Sequence, residues 1–113
     1  MGTRTKRRAK FDFHGRPFVW WIDRGYYLRV SSLDKKFVIA YPLGTELDAP
    51  SCLKVIGPEF PGLESLPIRP VWLVAPAVSG EMGSWVDHLL AWSFDSTRVL
   101  EEGEPPKFIG DAS

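Results

Sequence analysis

The chain has 113 residues, 44% hydrophobic and 13% aromatic, with a formal net charge of zero. That is the length of one domain with enough apolar material for a core, so disorder as a whole is excluded. Cys52 is the single cysteine, which excludes an internal disulfide and a cysteine-based zinc site.

Charge is unevenly spread. Residues 1–10 carry Arg4, Lys6, Arg7, Arg8 and Lys10 and no acid, and read as a disordered basic head. From position 101 onward Glu101, Glu102, Glu104 and Asp111 stand against Lys107 alone, and residues 99–113 read as a flexible acidic tail. A single α+β domain is expected between them, over 11–98. No apolar run approaches the roughly 18 residues of a membrane span. The run at 18–22 is too short for a signal-peptide core, so the expectation is a soluble, cytoplasmic protein with no membrane partner.

Phe11 and Phe13 alternate with Asp12 and His14, the pattern of a short edge strand. Pro17 then opens a strand over 18–23, where it removes no ladder bond. Residues 23–25 form a tight turn around Gly25, a second strand follows over 26–31, and residues 32–35 connect it to a third over 36–41, stopped by Pro42. β-branched and aromatic residues dominate all three runs.

Turn lengths set a register. Ile22 is expected opposite Tyr26, Trp20 opposite Leu28 and Phe18 opposite Val30. In the second hairpin Ser31 is expected opposite Lys36, Val30 opposite Phe37, Leu28 opposite Ile39 and Tyr26 opposite Tyr41. Side chains alternate between faces. One face therefore collects Phe18, Trp20, Ile22, Tyr26, Leu28, Val30, Phe37, Ile39 and Tyr41, all apolar or aromatic, and is the expected core. The other is mixed: Val19, Trp21, Tyr27, Arg29, Ser31, Lys36, Val38 and Ala40.

Residues 42–50 are a loop by their turn chemistry, and 51–56 a fourth strand. The segment 57–67 (GPEFPGLESLP) holds prolines and glycines that exclude a helix or central strand. A fifth strand is expected over 69–75. Met82, Trp85, Val86, Leu89, Leu90, Ser93 and Phe94 then fall on one side at helical spacing, predicting a helix over 83–94 that covers the first sheet face. Ser84 or Ser79 is its expected cap.

Few residues point to chemistry. His14 and His88 lack spaced second ligands, so no metal is expected. Cys52 has no nucleophile signature around it. Asp87 and His88 are helix neighbours that point apart. The GEMG before the helix does not match a phosphate loop. No cofactor is implied, and the protein is expected to be non-enzymatic.

The second sheet face offers the candidate site: Trp21, Tyr27, Arg29, Lys36 and Val38. Trp21 and Tyr27 are expected as cross-strand neighbours with Arg29 and Lys36 beside them. Three readings stay open. A loop or chain end covers this face. It is a protein interface, in a homodimer or with another partner, where Trp, Tyr and Arg are enriched. Or it holds single-stranded nucleic acid by stacking and phosphate contacts. A small-molecule or enzymatic cleft between loop 57–67 and the helix start is a further alternative.

The runs DKKFVIAYPLG, GPEFPGL, RPVWLVAP and GEMGSWVDHLL resemble small uncharacterised bacterial proteins known from genome and environmental sequencing. The likeness covers about residues 14–95. It implies no activity, and no functional residue is carried over from it. The expected architecture is an antiparallel sheet of about five strands, meander first, with one C-terminal helix on one face. The expected function is a small interaction module that self-associates or binds a protein partner through its aromatic sheet face, with single-stranded nucleic-acid binding through the same face as the alternative.

Overall fold

A computed structural model of the chain describes residues 8–43, 51–63, 70–78 and 80–105. Six strands form one antiparallel sheet in chain order: β1 (Ala9–Phe13), β2 (Arg16–Asp23), β3 (Tyr27–Ser32), β4 (Val38–Pro42), β5 (Cys52–Val55) and β6 (Val71–Val74). One helix, α1 (Met82–Ser93), follows. The protein is α+β, as its patterning predicts, but with six strands rather than about five. The additional strand is β1. The alternation at Phe11 and Phe13 extends back to Ala9, inside the segment expected to be a disordered head. His14 and Gly15 both take positive φ, 52° and 84°, the two-residue turn whose twist suits a hairpin. The Gly15 N–H donates to Asp12 Oδ1 at 2.9 Å and closes it.

The pairing of β2, β3 and β4 differs from expectation by two residues in each hairpin. Ile22 opposes Leu28, and Val30 opposes Ile39. In the first turn Arg24 and Gly25 both adopt positive φ, and Tyr26 N–H donates to the Asp23 carbonyl at 3.0 Å. Tyr26 becomes an extra loop residue, 53% exposed, instead of a core residue. In the second, Ser32 rather than Ser31 closes the loop. Its N–H donates to the Phe37 carbonyl at 2.9 Å, and its hydroxyl accepts from the Phe37 N–H at 3.1 Å. A shift of two equals the side-chain period, so every strand residue keeps its face.

The core face is therefore the expected one. Phe18, Leu28, Val30, Phe37, Ile39 and Tyr41 are buried, together with Leu53 and Val55 of β5 and Leu73 of β6. Ile22 departs from the set at 36% exposure, and Trp20 is half-buried. α1 lies across this face and buries Val86, Leu89, Leu90 and Ser93. Its direction follows from its aromatics. Trp85 meets Tyr41 of β4 edge-on at 6.2 Å, while Phe94 stacks on Phe37 at 4.9 Å and on Phe13 of β1 at 6.0 Å. The residue before the helix is Glu81, which makes no side-chain cap bond; Ser84 lies inside α1, and Ser79 lies outside the described residues.

Two irregular segments complete the core. In the loop after β5, Phe60 is fully buried and stacks on Phe37 at 5.8 Å, and Leu63 is buried beside it. Gly57 is there for space. A Cβ would sit 2.4 Å from the Lys36 carbonyl oxygen and 2.7 Å from the Val38 nitrogen. The segment expected to be a flexible tail is tied down in its described part. Just before it, Arg98 donates to the Pro61 carbonyl and lies over Phe60 and Trp92 at 5.2 and 5.6 Å. Val74 N–H then donates to the Glu101 carbonyl, and Gly103 N–H to the Trp72 carbonyl, both at 2.8 Å, so residues 101–103 run along the edge of β6. Among the described residues no helix is long and apolar enough to cross a membrane.

Candidate interaction face

With α1 on one face of the sheet, the opposite face is defined by parity. Pairing places Trp21 opposite Arg29, Arg29 opposite Ala40, Ala40 opposite Lys54 and Lys54 opposite Trp72. Arg8, just before β1, continues the row at the other end, with its guanidinium 4.1 Å from the Trp21 ring centre. A line of side chains thus runs from the residue before β1 across β2 to β6, in the order cation, ring, cation, alanine, cation, ring. Ala40 in the middle is fully buried, and its small side chain leaves room for its neighbours to lean together. Tyr27 stands beside the row. Arg29 lies 5.9 Å and Lys54 5.6 Å from its ring centre, and Lys54 is also 5.8 Å from the centre of Trp72. One ammonium is therefore shared between two rings, the arrangement that an aromatic quadrupole favours.

The five expected residues are not equivalent. Trp21 is on this face but only 8% exposed, capped by Arg8. Its indole Nε1 is buried with no hydrogen-bond partner among the described residues. Tyr27, Arg29 and Val38 are half-buried, and Lys36 is exposed on the turn before β4. Trp21 and Tyr27 are not cross-strand neighbours as expected. The two-residue change of register puts Arg29 opposite Trp21 and Asp23 opposite Tyr27. Asp23 and Arg29 then form a largely buried ion pair, Arg29 Nε donating to Oδ2 at 2.7 Å.

Arg8, Lys54 and Trp72 are the members that the sequence reading did not select. Arg8 fell within the basic head. Lys54 and Trp72 show the right alternation in CLKV and VWLV, with Leu53, Val55, Val71 and Leu73 on the core parity. Local pattern does not say which strands neighbour each other, so the row was not visible. Asp34, on the turn beside Lys36, has its carboxyl held below the usual range, first by the Ser32 hydroxyl, then by the Lys36 N–H and the charges of Arg16 and Lys36.

Other candidate chemistry is sparse. Among the described residues no cluster of His, Cys, Asp and Glu could hold a metal ion. Cys52 is a buried free thiol against Gly103, where a Cβ would approach Sγ to 3.0 Å. A cavity of about 480 Å³ opens between the β1–β2 hairpin and the C-terminal end of α1, lined by Phe13, His14, Arg16, Phe18, Ala91 and Phe94. It lies away from the helix start, where a cleft was expected. Arg16 at its rim is already paired with Glu59 at 2.6 Å.

No protein-family model matches the chain, and neither a curated protein nor a solved structure matches it.

Proposed function

We propose that this protein is a small, non-enzymatic interaction module whose outer sheet face receives an anionic partner. The single observation that supports this is the row from Arg8 to Trp72, in which cations lie over or between rings across the width of the sheet. Arg8, Lys10, Arg29 and Lys54 outnumber Asp12 and Asp23 on that face, and Asp23 is already matched by Arg29. Glu101 borders it beyond β6. Partner recognition of this kind uses complementary charge for encounter and orientation, and aromatics for contact. Self-pairing through the same face is the weaker form of the idea. A two-fold interface opposes each patch to itself, and like charges then meet.

The test is retention on immobilised heparin, a polyanion without bases, combined with sedimentation velocity at high micromolar concentration. The expected result is a monomer that elutes later than the Arg8→Glu/Lys54→Glu double variant. Equal elution of the two proteins would refute the proposal. A dimer that the double variant abolishes would replace it with self-association.

A further inference from the structure

Resting on that assignment of the outer face, we infer that the anionic partner is single-stranded nucleic acid. Its bases stack on Tyr27 and Trp72, and its phosphates are held by Arg8, Lys10 and Lys54. An acidic protein surface can use cations and rings as separate patches, whereas a single strand needs a charge beside each stacking surface. Here the two are interleaved. Lys54 stands between Tyr27 and Trp72 at 5.6 and 5.8 Å from their centres, so a charge for a phosphate is built next to two surfaces for bases. Both rings are half-buried on the outer face of the sheet. Unpaired bases offer a π face whatever their identity, whereas duplex bases are already stacked on one another. At the strand spacing of about 4.8 Å, the row spans roughly 24 Å, the scale of a short run of nucleotides. The groove-filling helix of a duplex reader has no counterpart on this face, because α1 packs on the other side.

Trp21 supplies the second observation. It is 92% buried beneath Arg8, and its indole N–H has no acceptor among the described residues. A buried donor without a partner calls for an explanation. A phosphate that recruits the Arg8 guanidinium draws it off the indole, and the ring and its N–H then become available to the ligand. The face therefore has a phosphate-gathering end at β1 and a stacking end at β5 and β6.

The test is titration of fluorescein-labelled dT15 into the full chain by anisotropy at two salt concentrations, with poly-L-glutamate and a 15-base-pair duplex as competitors. Binding is expected at low salt, weakening steeply as salt rises, with quenching of tryptophan emission. Trp72→Ala and Tyr27→Ala should each weaken binding about 5- to 150-fold, the stacking contribution of one base, with an unchanged salt slope. Trp72→Phe, which keeps a ring, should recover most of the loss and guards against a folding artefact. Lys54→Gln should reduce the salt slope by about 0.7. If poly-L-glutamate or duplex competes as well as unlabelled dT15, or Trp72→Ala and Tyr27→Ala bind like the parent, the nucleic-acid inference falls while the anionic-partner proposal stands. If the parent binds neither dT15 nor heparin, both fall.

Discussion

Phe37→Ala should be among the most damaging single substitutions in this domain, because Phe37 joins three segments that are distant in sequence. Its side chain is fully buried between β3 and β4. It meets Phe18 of β2 edge-on at 5.7 Å, stacks on Phe60 of the loop at 5.8 Å and stacks on Phe94 behind α1 at 4.9 Å. Removing a buried phenyl ring costs about 3–5 kcal/mol in lost transfer energy and cavity formation. The three aromatic contacts, each worth about 0.5–1.5 kcal/mol, place the expected loss toward the upper end of that range. Against a total stability of roughly 5–15 kcal/mol this is a large share. The melting temperature should fall by about 16–20 °C, taking about 4 °C per kcal/mol at this chain length. Urea unfolding followed by circular dichroism measures the loss, with Leu33→Ala as the comparison. Leu33 is 60% exposed, and its truncation should change stability by no more than about 0.5 kcal/mol. A Phe37→Ala loss below about 1 kcal/mol with an unchanged m-value, or one equal to that of Leu33→Ala, would refute the claim that this ring ties sheet, loop and helix together.

Two further tests address local structure. Gly57→Ala brings a methyl group against the backbone of residues 36 and 38, which cannot swing aside as a side chain would; the expected destabilisation is about 1–3 kcal/mol. Gly83→Ala meets nothing within 4 Å in the first turn of α1 and should instead stabilise by up to about 1 kcal/mol, so denaturant midpoints should move in opposite directions. Asp34 provides a pH test. Its folded carboxyl titrates below its ordinary value of 3.8 because Ser32, the Lys36 N–H and nearby cations favour the ionised form. That contribution is present above the ordinary value and is lost as pH falls through the folded one. Wild type and Asp34→Asn should therefore differ in urea midpoint at pH 6 and converge at lower pH; a constant difference across the range would contradict the hydrogen-bonded turn.

Much of this arrangement could be read from local pattern, and the parts that could not share a cause. The core membership of Phe18, Leu28, Val30, Phe37 and Ile39 was legible although both hairpin registers were two residues out, because faces repeat every two residues. The helix and its stripe of Val86, Leu89 and Leu90 were legible from 3.6-residue spacing. Tyr26 was misplaced because its position depends on whether Arg24 joins Gly25 at positive φ, and residue type alone leaves that choice open. Parity puts Trp21 on the outer face, but the Arg8 guanidinium that lies 4.1 Å over its ring comes from a segment whose composition suggests disorder. Lys54 and Trp72 entered the candidate site only through the neighbours of their strands.

The sequence by itself determined which residues share a face, which segments extend and which one coils, because these follow from spacing along the chain and the chemistry of adjacent residues. The tertiary structure alone decided that β4, β5 and β6 continue the meander, that Phe60 enters the core from a proline-rich loop, that residues 101–103 close the edge of β6, and that Arg8, Trp21, Arg29, Lys54 and Trp72 fall in one row. These features arise where segments far apart in sequence meet. Packing and ladder hydrogen bonds between strands select them, and no local periodicity encodes that selection.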